Sequence, residues 1–420
     1  MARILLATFG SYGDLFPYLA IGVELRRRGH AVTIATLPVY AQKVAHEGLE
    51  FHAVRPDIRP GDRELLAQVM DARRGTERVL RFTSSTVRES YDDTLPAARE
   101  ADLIVSHPIT FAAVIAAEKL RKPWVSSVLA PISFLSAYDP PVPAQRASLL
   151  KVRALGPGAM RVLWSIAKWQ TGTWMREIPA LRKELGLPPG EHALFEGSHS
   201  PRLVLALFSR WLTERQPDWP AQTVMTGFPF YDGGEAAPPE LDRFLDAGSP
   251  PVVFTLGSSA VGVAGDFYRE SLEAVRRLGA RAVLMTGEHP QGLPDSLPPG
   301  VLAVPYAPHA AVMPRGAATV HQGGIGTTAQ AMRAGKPMLV MPFAHDQFDN
   351  AERVRRLGVA EVLTRRRYTA ARVEGLLGRL LNDARYGRAA RELGERVRAE
   401  QGAAAAANAI QRILDEESNK

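Results

Sequence analysis

A chain of 420 residues with 46% hydrophobic side chains is long enough for two packed domains of about 200 residues each. It contains no cysteine, which excludes a disulfide framework, a thiolate zinc site and a cysteine nucleophile, and which suits a cytoplasmic protein. The net charge of +7 comes from scattered arginines without interleaved aromatic residues. We therefore expect no nucleic-acid partner, and at most a weak attraction to anionic substrates or membrane surfaces.

The first half of the chain alternates short apolar runs with helical stretches, a pattern typical of a parallel α/β sheet. The opening run is too short for a signal peptide and predicts a strand. The most apolar longer stretch, 101–117, contains Asp102, His107 and Pro108 and falls short of a membrane span. The predicted strands of this half are 4–8, 31–35, 103–106 and 125–129.

Three tryptophans, Trp164, Trp169 and Trp174, lie in a helical segment of the region 131–197. They either line an apolar ligand pocket or pack the helix onto the core, and their spacing leaves both interpretations open.

A Gly- and Pro-rich stretch, 226–239, predicts a linker between two domains. The alanine-rich and charged segment 385–417 contains no proline and predicts a terminal helix. Between them lies a second series of predicted strands, at 252–256, 282–285, 302–304, 318–320 and 339–342. The same α/β architecture is therefore expected twice.

The most informative motif, His321-Gln-Gly-Gly-Ile-Gly-Thr-Thr328, follows one of these strands. Its glycines let the backbone turn tightly, and a helix is predicted from Thr327 to Ala334, with Gly335 just past its end. The free amides and the dipole of its first turn favour an anion. A diphosphate fits there, with hydrogen bonds from His321, Thr327 and Thr328.

The same residues allow other interpretations. Gly324-Ile-Gly326-Thr-Thr-Ala329 satisfies the loose dinucleotide fingerprint, with Asp346 twenty residues beyond Gly326. An NAD(P)-dependent oxidoreductase is therefore one alternative, and a turn that binds no ligand is another.

Three motifs follow one another in the second half of the chain: Tyr306-Ala-Pro-His309, His321-Gln-Gly-Gly-Ile-Gly-Thr-Thr328 and Asp346-Gln347. Together they resemble the nucleotide-sugar-dependent glycosyltransferases of the UDP-glycosyltransferase superfamily (glycosyltransferase family 1), which includes plant natural-product, antibiotic, macrolide and sterol enzymes. The resemblance covers essentially the whole chain. It implies the α/β GT-B fold, with two Rossmann-like domains facing each other across a cleft. The implied divisions are an acceptor-binding domain at 1–225, a linker at 226–245, a donor-binding domain at 246–395 and a terminal helix at 396–420 that packs back on the first domain.

The resemblance also assigns roles to residues of this sequence. In such enzymes an aromatic ring stacks on the nucleotide base, the His-Gly-Thr loop holds the diphosphate and the Asp-Gln pair binds sugar hydroxyls. The expected donor-binding residues are Gly13, Ser258, Ser259, Tyr306, Ala307, His309, His321, Gly323, Gly324, Gly326, Thr327, Asp346 and Gln347. The expected acceptor-binding residues are Phe16, Phe134 and Trp164.

The loop Gly10-Ser-Tyr-Gly-Asp14 resembles the family's general-base loop, with Asp14 where many relatives have histidine. A carboxylate with an ordinary pKa near 4 is a weak base for an alcohol, so either burial raises that pKa or a neighbouring histidine shares the proton. We hypothesise that His107, at the end of a later strand, lies near Asp14 and is that histidine; the alternative is a strand-end histidine satisfied by the backbone. The chain contains no Asp-x-Asp and no His-Glu-x-x-His motif. Catalysis is therefore expected to need no metal.

These observations predict an inverting, metal-independent hexosyltransferase. Its donor would be a UDP- or TDP-hexose of glucose type, and its acceptor a hydroxyl of a lipophilic small molecule such as a polyketide, phenolic or sterol. No cofactor is expected besides the nucleotide-sugar co-substrate. A non-catalytic nucleotide-sugar-binding protein would retain the same donor motif, so it stays an alternative beside the oxidoreductase.

Overall fold

The computed structural model describes residues 1–58, 62–142, 152–234, 236–288 and 292–419. The chain forms two compact units. Unit 1 comprises Met1–Asp62, Arg73–Tyr231 and Glu400–Lys420, and unit 2 comprises Arg63–Ala72 and Asp232–Ala399. The segment Arg63–Ala72, which lies inside the predicted first domain, thus groups with unit 2.

Unit 1 is built on a seven-stranded parallel sheet with the order β3-β2-β1-β4-β5-β6-β7. The strand order reverses between β1 and β4, which pair directly, with Ala7 opposite Ser106. Ligands of open α/β sheets bind at such a switch point, beyond the carboxyl ends of the strands. The strands are β1 (Arg3–Ala7), β2 (Ala31–Thr36), β3 (Glu50–Ala53), β4 (Leu103–Ser106), β5 (Trp124–Val128), β6 (Val204–Ala206) and β7 (Thr223–Met225).

Unit 2 repeats this plan with a six-stranded parallel sheet in the order β10-β9-β8-β11-β12-β13. Its switch point lies between β8 and β11, where Thr255 is opposite His321. The strands are β8 (Val252–Thr255), β9 (Ala282–Met285), β10 (Val301–Val304), β11 (Ala318–His321), β12 (Met338–Val340) and β13 (Ala360–Val362).

Helices connect the strands in both units. Among the described helices, none is both long and apolar enough to cross a lipid bilayer. In chain order the helices are α1 (Tyr12–Arg27), α2 (Ala41–His46), α3 (Arg63–Val69), α4 (Gly75–Ser85), α5 (Val87–Glu100), α6 (Phe111–Leu120), α7 (Gly156–Gly172), α8 (Glu177–Glu184), α9 (Pro239–Asp246), α10 (Gly257–Ala260), α11 (Phe267–Leu278), α12 (His309–Val312), α13 (Ile325–Ala334), α14 (Gln347–Arg356), α15 (Ala370–Asn382), α16 (Ala384–Arg398) and α17 (Gly402–Ser418).

Two predicted segments differ from the structure. The second half of the predicted linker 226–245 is helix α9, whose Leu241 and Leu245 are buried. The predicted continuous terminal helix is two helices, α16 and α17, that belong to different units. Helix α17 packs on α1 within unit 1. A Cβ at Gly402 would collide with the carbonyl oxygen of Phe228, so the packing at the start of α17 requires glycine.

Candidate active site

Asp14 and His107 meet at the switch point of unit 1, because β1 and β4 end side by side there. Asp14 is the third residue of α1, and Ser11 caps that helix. The backbone N–H and the Oγ–H of Ser11 donate to Asp14 Oδ2 at 2.7 and 3.1 Å. His107 Nε2 lies 3.3 Å from Asp14 Oδ1. Three donors therefore hold the Asp14 carboxylate in place.

The backbone sets the tautomer of His107. The N–H of Ile109 points at His107 Nδ1 at 3.3 Å, so Nδ1 acts as an acceptor. A neutral ring then carries its proton on Nε2 and donates it to Asp14. The side chain of His107 is 7% exposed and that of Asp14 is 33% exposed. Asp14 is thus the member of the pair that a substrate can reach.

Glycines shape the loop around Asp14. Gly10 has φ +131°, and a Cβ there would collide with Asp14 Oδ2. The hydroxyl of Tyr40 donates to the Gly10 carbonyl at 2.8 Å, which anchors the turn. The N–H of Gly13, predicted to bind the donor, donates to Ser11 Oγ at 3.3 Å. This amide is therefore already engaged in the helix cap.

Phe16, predicted to contact the acceptor, lies one turn after Tyr12 on α1 in an aromatic group. Its ring centroid is 5.1 Å from that of Tyr12 and 5.0 Å from that of Tyr231. Tyr12 also contacts Tyr40 and is partly exposed. The sequence analysis missed Tyr12, Tyr40 and Tyr231, although Tyr12 stands two residues before Asp14 in the loop motif.

Phe134 and Trp164, the other predicted acceptor-binding residues, are not placed alike. Phe134 is buried, and its ring stacks on Trp219 at 4.1 Å and on His199 at 5.6 Å. At 8% relative exposure, this residue leaves little of its ring for contact with an acceptor. Trp164 is half-buried on α7, and its Nε1–H donates to the carbonyl of Ser136 at 3.4 Å.

The face of α7 around Trp169 is apolar and exposed. Trp169 is 75% exposed, whereas Trp174 packs beside the core of unit 1. Four apolar side chains, each at least 56% exposed, are Leu155, Val162, Ile166 and Trp169. They are spaced seven, four and three residues apart, which places them in one stripe along the helix. The three tryptophans thus differ in environment. Trp174, which lies just beyond the end of α7, is partly buried against the core, Trp164 is half-buried and Trp169 is exposed.

At the switch point of unit 2, His321 ends β11 and is fully buried. The N–H of Gly323 donates to His321 Nδ1 at 3.1 Å. Burial, followed by the nearby His309, lowers the pKa of His321 to about 3. The ring is therefore neutral at pH 7 with its proton on Nε2, and this buried Nε2–H has no partner. A buried donor without a partner is uncommon and calls for an explanation such as a ligand.

The glycine loop after His321 leads into α13. Gly323 has φ +86°, and a Cβ there would lie 2.8 Å from Val340 Cγ1. Gly324 precedes the helix without a side-chain cap, and Gly326 lies in its first turn, so the initial amides have no side-chain acceptor. Thr327 is buried, with its Oγ1 3.4 Å from Gln322 Nε2. Other buried polar atoms without partners in this region are Gln322 Oε1 and Thr328 Oγ1.

Ser258 and Ser259 lie in α10, directly after β8, with Ser258 exposed and Ser259 half-buried. The preceding Gly257 has φ +59°, and a Cβ there would collide with Gln322 Nε2 and lie 3.2 Å from Thr327 Oγ1. The start of α10 therefore borders the loop that follows β11.

The predicted sugar-binding pair lies at the start of α14, where Asp346 precedes the helix and Gln347 begins it. The N–H groups of Phe343 and Ala344 donate to Gln347 Oε1 at 2.9 and 3.2 Å, which orients the amide with Nε2 as the available donor. The preceding His345 has φ +54°, an uncommon conformation for a residue other than glycine.

The predicted base-binding segment 306–309 follows β10. Tyr306 is 46% exposed, which suits a stacking surface, and Ala307 is buried. His309 begins α12, and burial lowers its pKa to about 4. Within the described ranges, no group of three or more His, Asp or Glu side chains is placed to hold a metal ion.

Known protein families match both the N-terminal and the C-terminal part of the chain. Residues 4–132 match the model of the glycosyltransferase family 28 N-terminal domain. Residues 269–414 match the model of the erythromycin biosynthesis protein CIII-like C-terminal domain.

Individual relatives match over most of the chain. An O-mycaminosyltylonolide 6-deoxyallosyltransferase from Streptomyces fradiae is 34% identical over 415 residues, covering 95% of this chain and 94% of that protein. A vancomycin aglycone glucosyltransferase from Amycolatopsis orientalis is 32% identical, covering 85% and 84%. Among solved structures, the glycosyltransferase VinC in complex with DTDP has a TM-score of 0.71 at 22% identity, covering 99% of this chain and 100% of that chain.

The fold is thus that of the GT-B glycosyltransferases, with two parallel-sheet Rossmann-like α/β units, and this confirms the predicted fold class. The chain belongs to the UDP-glycosyltransferase superfamily and is a glycosyltransferase, as its motifs predicted.

Proposed function

We propose that this glycosyltransferase is inverting and metal-independent, and that it moves a hexose from a nucleoside diphosphate donor to a hydroxyl of a lipophilic small molecule. The observation that carries the proposal is the accessible Asp14 carboxylate, held by Ser11 and His107 at the switch point of unit 1. A general base must be both reachable and correctly oriented.

In this mechanism Asp14 accepts the proton of the acceptor hydroxyl as that oxygen attacks the anomeric carbon. The attack comes from the side opposite the departing diphosphate, so the anomeric configuration inverts. His107 donates through Nε2–H to Asp14 Oδ1, and its other ring nitrogen is engaged by Ile109. His107 is therefore assigned to orienting the carboxylate and stabilising its charge, not to removing the substrate proton.

The leaving diphosphate gains negative charge as the bond to the sugar breaks. The buried Nε2–H of His321 and the amides at the start of α13 are donors without protein partners that suit this charge. They supply the stabilisation that a metal ion provides in other transferases, so the proposed reaction requires none. Ser258 and Ser259 are assigned to the same diphosphate.

For the donor we propose a UDP- or TDP-hexose of glucose type. Tyr306 offers an exposed ring for the base, and Asp346 with Gln347 offers polar groups for sugar hydroxyls. Two relatives are named for glucosyl and 6-deoxyallosyl transfer, and a solved structural neighbour holds DTDP. These names support a hexose on a pyrimidine nucleotide.

For the acceptor we propose a lipophilic natural product. The relatives are named for O-mycaminosyltylonolide and the vancomycin aglycone. The exposed stripe Leu155, Val162, Ile166 and Trp169 supports apolar recognition, because contiguous exposed apolar side chains mark interaction surfaces.

A thermal-shift panel of UDP, TDP, GDP, NAD and NADP tests the donor site first. A ligand at about a hundred times its dissociation constant adds about 2.7 kcal/mol to the free energy of unfolding. We expect a shift with UDP or TDP, and a shift with NAD or NADP alone would favour an oxidoreductase site instead. Turnover is then measured on hydroxylated lipophilic acceptors with and without EDTA, where loss of activity in EDTA would contradict metal independence.

A further inference from the structure

Asn350, one turn after Asp346 on α14, joins two parts of the donor site. It is fully buried, and its side-chain amide nitrogen makes two hydrogen bonds. Asn350 Nδ2 donates to the carbonyl oxygen of Gly323 at 3.0 Å and to Asp346 Oδ2 at 2.7 Å. Both hydrogens of one amide are therefore used, one toward the loop after β11 and one toward the predicted sugar-binding carboxylate.

The chemistry of the partners allows only one orientation of this amide. A backbone carbonyl and a carboxylate accept hydrogen bonds and donate none, so the NH₂ group must face both of them. The oxygen Oδ1 is then left buried without a partner. Retaining such an unsatisfied atom costs stability, which marks Asn350 as a residue whose role is not simple packing.

These contacts form a continuous chain of hydrogen bonds. Gly323 donates its N–H to His321 Nδ1 and accepts from Asn350 through its carbonyl. Asn350 then donates to Asp346. Gly323 thus connects two features of the site. One is the tautomer of His321, which carries its proton on Nε2, and the other is the rotamer of the Asp346 carboxylate, next to the start of α14. A Cβ at Gly323 would also lie 3.0 Å from the Gln347 carbonyl oxygen, so the loop and the helix start are in close contact.

Asn350 shares α14 with a buried ion pair. Arg353 Nε donates to Asp349 Oδ2 at 2.7 Å, and both side chains are at most 2% exposed. The pair joins residues four apart on this one helix, so α14 buries charged and polar side chains on either side of Asn350.

We propose that Asn350 is a positioning residue that couples the diphosphate-binding loop to the hexose-binding carboxylate, and so governs how the donor sugar is recognised. The inference rests on the proposed function, in which His321 contacts the diphosphate and Asp346 contacts the sugar. Without Asn350, the loop after β11 keeps the hydrogen bond from Gly323 N–H to His321 Nδ1, whereas Asp346 Oδ2 loses the hydrogen bond that Asn350 donates.

The test compares nucleoside diphosphates with nucleotide sugars by isothermal titration. UDP, UDP-glucose, TDP and TDP-glucose are titrated into the wild type and into Asn350→Ala, Asn350→Ser and Asn350→Asp. The serine keeps one hydroxyl donor, and the aspartate keeps the shape but places a second carboxylate against Asp346. The matched control is Asn408→Ala, which removes a helical asparagine that accepts from Arg28 Nη1 at 2.7 Å in unit 1.

In Asn350→Ala we expect the affinity for the nucleoside diphosphate to stay within about twofold of the wild-type value. Relative to that, the affinity for the nucleotide sugar should fall about tenfold. Asn350→Asp should lose at least as much and Asn350→Ser less, whereas Asn408→Ala should match the wild type. Circular dichroism checks that each variant is folded. If Asn350→Ala does not fold, Asn350→Ser is compared with the wild type instead.

An unchanged ratio in folded Asn350 variants would overturn the positioning role while leaving the donor site intact. An equal loss for both ligand types would also overturn it, because Asn350 would then only support the loop. If the wild type bound neither UDP nor TDP, the failure would lie with the proposed donor site itself.

Discussion

The two switch points of this protein share a backbone plan but treat their polar groups in opposite ways. In unit 1 the Asp14 carboxylate already has Ser11 and His107 as donors and is partly exposed. In unit 2 the Nε2–H of His321 is buried and has no protein partner. A catalytic base needs its orientation before substrate arrives, whereas a donor for an anion must keep its hydrogen bond for the ligand. The two arrangements thus match the roles proposed for Asp14 and His321.

The comparison is tested most strongly by Asp14→Asn, which keeps the shape of the side chain but removes its basicity. We expect turnover to fall by about 10²- to 10⁴-fold, because proton removal by a positioned base is worth about that much. Binding of UDP or TDP, measured by thermal shift, should not change. Asp102→Asn, which alters a carboxylate at the start of β4, is the control. Full turnover in Asp14→Asn would remove Asp14 from the mechanism.

A smaller effect is expected from His321→Ala, which is tested by measuring its affinity for the nucleoside diphosphate. Removing the unpartnered Nε2–H should weaken binding of UDP or TDP by about tenfold. His199→Ala is a matched control, because His199 in unit 1 also has a buried Nε2 without a partner. Equal affinities in wild type and His321→Ala would show that this nitrogen does not meet the anion.

The pH dependence of stability sharpens the contrast, since burial keeps His321 neutral. Its pKa of about 3 lies below the ordinary value of 6.5, and burial lowers that of His199 to about 4. Between pH 6.5 and these values the unfolded chain binds protons that the folded chain does not. The free energy of unfolding therefore falls as the pH falls through this window.

His321→Gln, which does not titrate, should make this decline shallower by about 1.4 kcal/mol per pH unit in the middle of the window. Urea unfolding at about pH 4.5, 5.5 and 7 measures the slope in both proteins. Parallel curves for wild type and variant would mean that His321 is not buried in its neutral form.

The smallest effect is expected from Ser11→Ala, which opens the cap around Asp14. Loss of a side-chain helix cap costs about 1 kcal/mol of stability, measured by urea unfolding. Turnover should also decline, because Asp14 Oδ2 loses its hydroxyl donor. Ser11→Thr retains a hydroxyl and should restore both properties, and failure of that rescue would argue against the role given to the cap.

The sequence predicted the central strands well and the edges of the sheets poorly. Central parallel strands such as β1 and β8 are covered on both faces and read as continuous apolar runs, which periodicity detects. Three of the four edge strands, β3, β7 and β13, were missed; each has three or four residues, of which at most one is buried. The fourth edge strand, β10, was predicted at 302–304. The missed β6 is buried but has only three residues. A short strand is defined by its hydrogen bonds to a neighbouring strand, and its own hydrophobic pattern does not indicate which strand that is.

The residues of the candidate site also divide into those that the sequence predicted and those that it missed. His321, the glycines after it and the pair Asp346-Gln347 stand in contiguous motifs, so the sequence predicted them directly. Asn350 was missed because its role depends on Gly323, 27 residues away, although its spacing of four from Asp346 was a usable signal. Phe134 was predicted as an acceptor contact, but an aromatic side chain alone does not show which neighbours will cover it.

By itself, the sequence determined the repeated α/β architecture, because that depends on local hydrophobic patterns. Its contiguous motifs carried the resemblance that identified the superfamily and the order of the donor motifs. Only the tertiary structure decided the protonation pattern of the site. His107 reaches Asp14 across 93 residues, and the amides of Ile109 and Gly323 set which ring nitrogen of His107 and of His321 carries the proton. Hydrogen-bond direction and burial depend on atoms that chain folding brings together, so no local pattern specifies them.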